Sequence, residues 1–140
     1  MKKLFCMFFL FFCLPVFAQE GGGEGEAAID PNEPHISYFS LNPEIITNYV
    51  TPNGEMGYIR VKVDLMVNTT GDLALVTENE PLIRDSIIDV LGQETVEHIR
   101  SLKGRDLIRK ECADKINARL QKETGKQLVR ELLFTNYLYQ

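Results

Sequence analysis

The side chains able to do chemistry are few and scattered. The 140 residues hold two histidines, His35 and His98, and three cysteines, Cys6, Cys13 and Cys112. Neither histidine stands in an HExxH spacing or beside a CxxC pair, so neither has the neighbours that a metal site requires. A lone histidine of this kind reads as a surface or capping residue. Glu78, Glu80 and Asp85 come nearest to paired carboxylates, but at an acidic helix start they read as a solvated face that suits the helix dipole. The run Gly21-Gly22-Gly23-Glu24-Gly25 follows no strand and opens no helix, so it cannot cradle a phosphate. GxSxG, a Walker loop and a Cys–His pair are all absent from the sequence. These residues predict no catalytic, cofactor-binding or metal site. Binding is the default function, and no motif marks the partner-binding residues.

Charge narrows the partner. The chain carries a net charge of −5, and its lysines and arginines are dispersed, which argues against nucleic acid because a phosphate-binding surface needs them clustered. Residues 1–18 read as a signal peptide. Lys2 and Lys3 form a basic start, Leu4 to Leu14 an apolar run that Pro15 ends, and Val16-Phe17-Ala18 a small-residue cleavage signal. The run is shorter than the about 20 apolar residues a bilayer span needs, and an uncleaved inner-membrane anchor is the alternative. Loss of Lys2 and Lys3 takes the net charge from −5 to −7. Export permits disulfides, yet only Cys112 would remain, on the apolar face of a helix, where it reads as a small buried side chain. An intermolecular disulfide is the other reading.

Residues 19–35 are rich in Gly, Glu, Ala and Pro and have little to bury, so they read as a flexible leader before a single domain over 36–140. Ile36–Leu41 and Ile45–Val50 are short extended pieces, with Pro43 confining the first to an edge. Pro52-Asn53-Gly54 is a turn. Gly57 to Asn68 alternates cleanly: Val61, Val63, Leu65 and Val67 point to a core, and Arg60, Lys62, Asp64 and Asn68 point away. Thr69-Thr70-Gly71 is a turn, and Asp72 to Leu91 reads as one helix ended by Gly92. Pro81 must then lie in a first turn or at a kink. The alternative for Leu73–Val76 is a hairpin return.

After a short helical turn in Gln93–Arg100, Ser101 caps a long helix that Gly125 closes, with Ile108, Cys112, Ile116 and Leu120 on one face. The last stretch is apolar on both alternating faces, Leu128, Leu132, Phe134 and Leu138 against Val129, Leu133, Tyr137 and Tyr139. It therefore reads as a central strand covered on both sides. The class is α+β, helices packed on a small antiparallel or mixed sheet. The candidate binding surfaces are the polar face of Gly57–Asn68, the exposed helix faces and any open strand edge.

From Tyr38 to Gln140 these blocks resemble the FliL family of flagellar basal body-associated proteins. The early strand with Pro43 and Asn48, Gly57-Tyr-Ile-Arg-Val-Lys-Val-Asp-Leu and the helix from Pro81 to Leu91 are similar to that family's pattern. So are Gln93-Glu-Thr95, Gly104 to Arg109, Ile116-Asn117 with Leu120, and the closing Phe134-Thr-Asn-Tyr-Leu-Tyr-Gln140. The resemblance implies a stomatin/SPFH-like fold and a non-enzymatic periplasmic component at the flagellar basal body. Such proteins form rings around the stators and support torque and swimming. The implied partners are further copies of the chain (a homo-oligomer or ring), the periplasmic linker of the stator B subunit, and a membrane-bound FliL. FliL proper carries a transmembrane helix, whereas a cleavable signal here implies a soluble periplasmic paralogue. The alternative is an SPFH-like periplasmic scaffold acting outside the flagellum.

Overall fold

The computed structural model describes residues 30–140; the signal segment and most of the leader lie outside the described residues. Strands β1 (Ser37–Ser40), β2 (Ile45–Val50) and β3 (Met56–Val67) come first. Helices α1 (Thr70–Glu78), α2 (Glu80–Gln93), α3 (Val96–Arg100) and α4 (Leu102–Thr124) follow, and β4 (Val129–Tyr139) closes the chain.

The sheet is antiparallel and built around β3. One edge of β3 pairs with β2 over Met56–Val61 and with β1 over Asp64–Val67, while its other edge pairs with β4. Strands β1 and β2 thus act as one broken edge strand, interrupted where the cis Asn42–Pro43 peptide lies. The central strand is β3. The expectation that the closing strand is central is overturned: among the described residues β4 pairs only with β3 and lies at the opposite edge.

The two-sided burial expected of β4 is corrected too. Its ladder with β3 skips Thr135 between Asn136 and Phe134, and skips Arg130 between Glu131 and Val129. Each bulge flips the alternation of side chains. Val129, Leu132, Phe134, Tyr137 and Tyr139 consequently stand opposite the buried β3 residues Val67, Leu65, Val63, Val61 and Ile59, and Leu138 is left exposed. All four helices pack on that one face.

Helix starts follow local chemistry. The Thr69 hydroxyl accepts from Asp72 N at 3.0 Å, the Thr95 hydroxyl from His98 N at 3.3 Å, and the Ser101 hydroxyl from Gly104 N at 3.0 Å. Gly125 closes α4 at φ 74°, and Gly54 serves the β2–β3 turn at φ 81°. The single helix expected over 72–91 is two, parted at Asn79, with Pro81 in the first turn of α2 where its missing N–H costs nothing. Gly92 lies inside α2 and does not end it. The hairpin alternative is overturned by α1.

The core joins β3 to α2 and α4. Ile83, Ile87 and Leu91 of α2 and Ile108, Cys112, Ile116 and Leu120 of α4 are buried against Ile59, Val61, Val63 and Leu65. Burying each such side chain contributes about 1.5–3 kcal/mol. Across the outer surface, Asp89 pairs with Lys115 and Asp85 with Arg119, which tie α2 to α4. Exposed pairs of this kind are worth about 1 kcal/mol or less.

Candidate functional site

The residues first singled out for chemistry are used structurally. Glu80 accepts from Arg84 at 2.9 Å within α2, and Arg84 also donates to Pro43 O at 2.9 Å, joining the helix to the β1–β2 break. Asp85 is held by Arg119. Glu78 ends α1 without an ion pair among the described residues. His98 Nδ1 lies 2.9 Å from Glu94 Oε2 at one turn's spacing, and His35 N donates to Asn68 O at 2.8 Å beside the start of β1. Cys112 is fully buried, and desolvation pushes its thiol up to about 12, so it is a neutral core side chain at ordinary pH. Among the described residues, no group of three or more His, Cys, Asp or Glu converges as metal ligands would. No helix among them is long and apolar enough to cross a membrane.

Two surfaces remain. The first is the sheet face opposite the helices. Alternation places Arg60, Lys62 and Asp64 of β3 there, as expected from the sequence, together with Tyr58 and Met66. The neighbouring strands then change its character. Ile46 stands opposite Arg60, Val50 opposite Met56, and Leu138 opposite Arg60 from the other side. Ile46, Val50, Met56, Tyr58 and Leu138 are each more than half exposed. The face is therefore an apolar cluster with a few charges rather than the polar strip read from β3 alone. Glu44 organises its centre: Asn136 donates to it at 3.3 Å and Arg60 pairs with it at 3.9 Å. One side-chain oxygen of Asp64, opposite Ser40 and Leu133, is shielded and has no hydrogen-bond partner among the described residues. A contiguous exposed apolar patch on a folded domain marks an interaction surface.

The second surface is the outer edge of β4 beside the start of α4. Asn117 of α4 covers the beginning of that edge. Its Nδ2 donates to Val129 O at 2.7 Å, and Val129 N donates to its Oδ1 at 3.0 Å. Arg109 continues the cover, donating to Leu132 O at 3.3 Å and to Glu131 at 3.1 Å. It also holds Asp106 at 2.9 Å. Hydrogen bonds from Lys110 and then from Arg109 keep the Asp106 carboxyl below its ordinary value of 3.8. Farther along, the Arg105 guanidinium lies 5.5 Å from the Tyr137 ring, a cation–π contact. The Tyr137 ring meets Phe134 at 5.3 Å and Tyr139 at 6.2 Å. Burial pushes the Tyr137 phenol up to about 12, and its hydroxyl is shielded with no hydrogen-bond partner among the described residues.

Sequence reading anticipated an open strand edge but not its owner, because two unseen bulges hid which side of β4 faces the core. Arg105 and Asn117 fall in blocks that carry the family resemblance, but nothing in the sequence pointed to their contacts with β4.

Comparison with known proteins supplies the remaining finding. The family model described as flagellar basal body-associated protein FliL matches residues 38–140. A protein of Aquifex aeolicus (strain VF5), named flagellar protein FliL, is 34% identical over 112 residues. Those residues make up 80% of this chain and 66% of that relative, just under two thirds of its length.

Proposed function

This chain belongs to the FliL family of flagellar basal body-associated proteins, and from that premise we propose that it is a non-enzymatic component of the flagellar motor. On this reading residues 1–18 are a signal peptide that exports it, the leader 19–35 precedes the folded domain, and the protein works in the periplasm at the basal body. It forms homo-oligomers, binds stator or basal-body proteins, and so supports torque and swimming. The partners proposed are further copies of itself, the periplasmic linker of the stator B subunit, and a membrane-bound FliL. A stomatin/SPFH-like kinship of the domain belongs to the same proposal.

The observation that carries the reading is the family match, which runs through the sheet and the whole helical layer from Tyr38 to Gln140. The geometry supports it in one further way. With all helices on one side, the sheet's other face is left apolar and exposed, which suits a protein that acts by contact.

In-cell crosslinking of the tagged chain in swimming bacteria, followed by mass spectrometry of the captured proteins, tests the proposal. Recovery of the stator B subunit or of a membrane-bound FliL is expected. A diffuse periplasmic distribution with no flagellar protein captured would overturn it.

A further inference from the structure

The outer edge of β4 is open over part of its length. Gln140 and Tyr58 exchange both backbone hydrogen bonds, at 2.8 and 3.1 Å. Antiparallel pairing alternates, so Tyr137 and Tyr139 direct their N–H and C=O groups away from β3. At the start of the strand the equivalent groups are taken by Asn117 and Arg109. From Phe134 onward no strand and no side chain among the described residues takes them.

Two adjoining hollows flank this open stretch and share Leu102 and Arg105. Phe134 lines the one, and Arg100, Tyr137 and Tyr139 line the other. Leu102 is 78% exposed and forms an apolar lip that no described residue covers. Arg100, Lys103 and Arg105 have no carboxylate partner among the described residues, although the chain as a whole is acidic. Asp106 is the one carboxylate lining either hollow, and Arg109 and Lys110 already hold it.

An unpaired strand edge, an apolar lip and free cations in one place suit one kind of occupant. Backbone groups of an extended segment would continue the sheet, its alternate side chains would enter the hollows, and its carboxylates would meet the guanidinium groups. We propose that β4, from Phe134 to Tyr139, takes up an extended acidic segment of a partner protein as an added strand, with Arg100 and Arg105 as its anion contacts. A second copy of this chain is the poorer match, because the strands at its far edge, SYFS and IITNYV, carry no acidic residue. The inference goes beyond the motor role: it stands on the fold and holds whichever protein supplies the segment.

A phage-displayed library of random ten-residue peptides, selected on the purified full chain, tests it. Counter-selection uses the variant Arg100→Glu, Lys103→Glu, Arg105→Glu, whose exposed positions leave the core intact. The expected winners alternate acidic with apolar or aromatic residues. A synthetic winner should bind the variant about tenfold or more weakly and lose affinity at high salt, as screening requires. N-methylation of every second backbone amide in that peptide should abolish binding, since it blocks strand pairing but keeps the charges. Enrichment of no sequence, or of non-acidic ones, overturns the proposal. Undiminished binding of the N-methylated peptide overturns strand addition. Self-association of the chain that Tyr139→Pro abolishes would assign the edge to a second copy instead.

Discussion

Replacing Asn117 by leucine tests how α4 is locked to β4. The Asn117 amide makes two hydrogen bonds to Val129, at 2.7 Å to its carbonyl and 3.0 Å from its N–H. Val129 is 5% exposed, so water does not readily replace either bond. Leucine conserves the volume and improves helix propensity by a few tenths of a kcal/mol. Against that small gain stand two lost hydrogen bonds and two stranded backbone groups, each costing about 1–2 kcal/mol. The expected net loss is about 2–4 kcal/mol, a large part of the 5–15 kcal/mol typical of a domain. At an m-value of about 2 kcal/mol/M, the middle of the range for small domains, the urea midpoint should fall by roughly 1–2 M with the slope unchanged. Asn117→Asp sharpens the test. A carboxylate keeps the bond from Val129 N–H but faces the Val129 carbonyl with no proton to offer, so that variant should gain relative stability as the pH falls and the acid protonates. If Asn117→Leu unfolds within about 0.5 kcal/mol of the parent, the amide bridge is not what holds the helix to the strand.

Gly104→Ala pits two effects against each other: helix propensity alone favours alanine by about 1 kcal/mol, but a Cβ there would press into the backbone of His98. The backbone cannot swing aside, so a net loss of about 1–3 kcal/mol is expected in urea melts, and any gain would refute the close α3–α4 approach. Ile116→Asp places an unpaired charge at a position with no exposure, and should abolish cooperative thermal unfolding seen by circular dichroism. Retained melting would show that this face of α4 is not buried. Alkaline pH should also unfold the domain. The Cys112 thiol and Tyr137 phenol, ordinarily 9.0 and 10.0, are each raised to about 12 in the fold, so the unfolded chain releases these protons first. Their contribution is complete below pH 9 and declines as pH rises toward 12, at up to about 1.4 kcal/mol per pH unit for Cys112. Urea midpoints from pH 8 to 11 should therefore fall less steeply in Cys112→Ala.

The parts legible in the sequence are those governed by one local rule. Ile108, Cys112, Ile116 and Leu120 repeat every fourth residue between Ser101 and Gly125, and all four are buried between those caps. Val61, Val63, Leu65 and Val67 alternate, and all are buried. The misreadings arise where a second, non-local rule intervenes. The apolar residues of β4 look two-sided because Arg130 and Thr135 each shift the alternation by one, and only the partner strand reveals the shift. Asn79 parts α1 from α2, though nothing in the apolar pattern on either side marks the break. The apolar cluster on the bare face was hidden for the same reason. Ile46, Tyr58 and Leu138 are remote in sequence and meet only through the register of three strands.

The position of β3 between the two ends of the fold has a mechanical consequence. The chain enters the sheet at His35, bonded to Asn68, and reaches Gln140 beside Tyr58. Those anchor points lie at opposite ends of β3, roughly 30 Å apart at the usual rise per residue. A pull between them runs along the strands and across hydrogen bonds that lie perpendicular to it. The β1–β3 and β4–β3 ladders would then be loaded in shear, every bond at once, rather than peeled open one after another. A domain strung this way resists tension on its two ends far better than the same sheet would if both attachments left from one end.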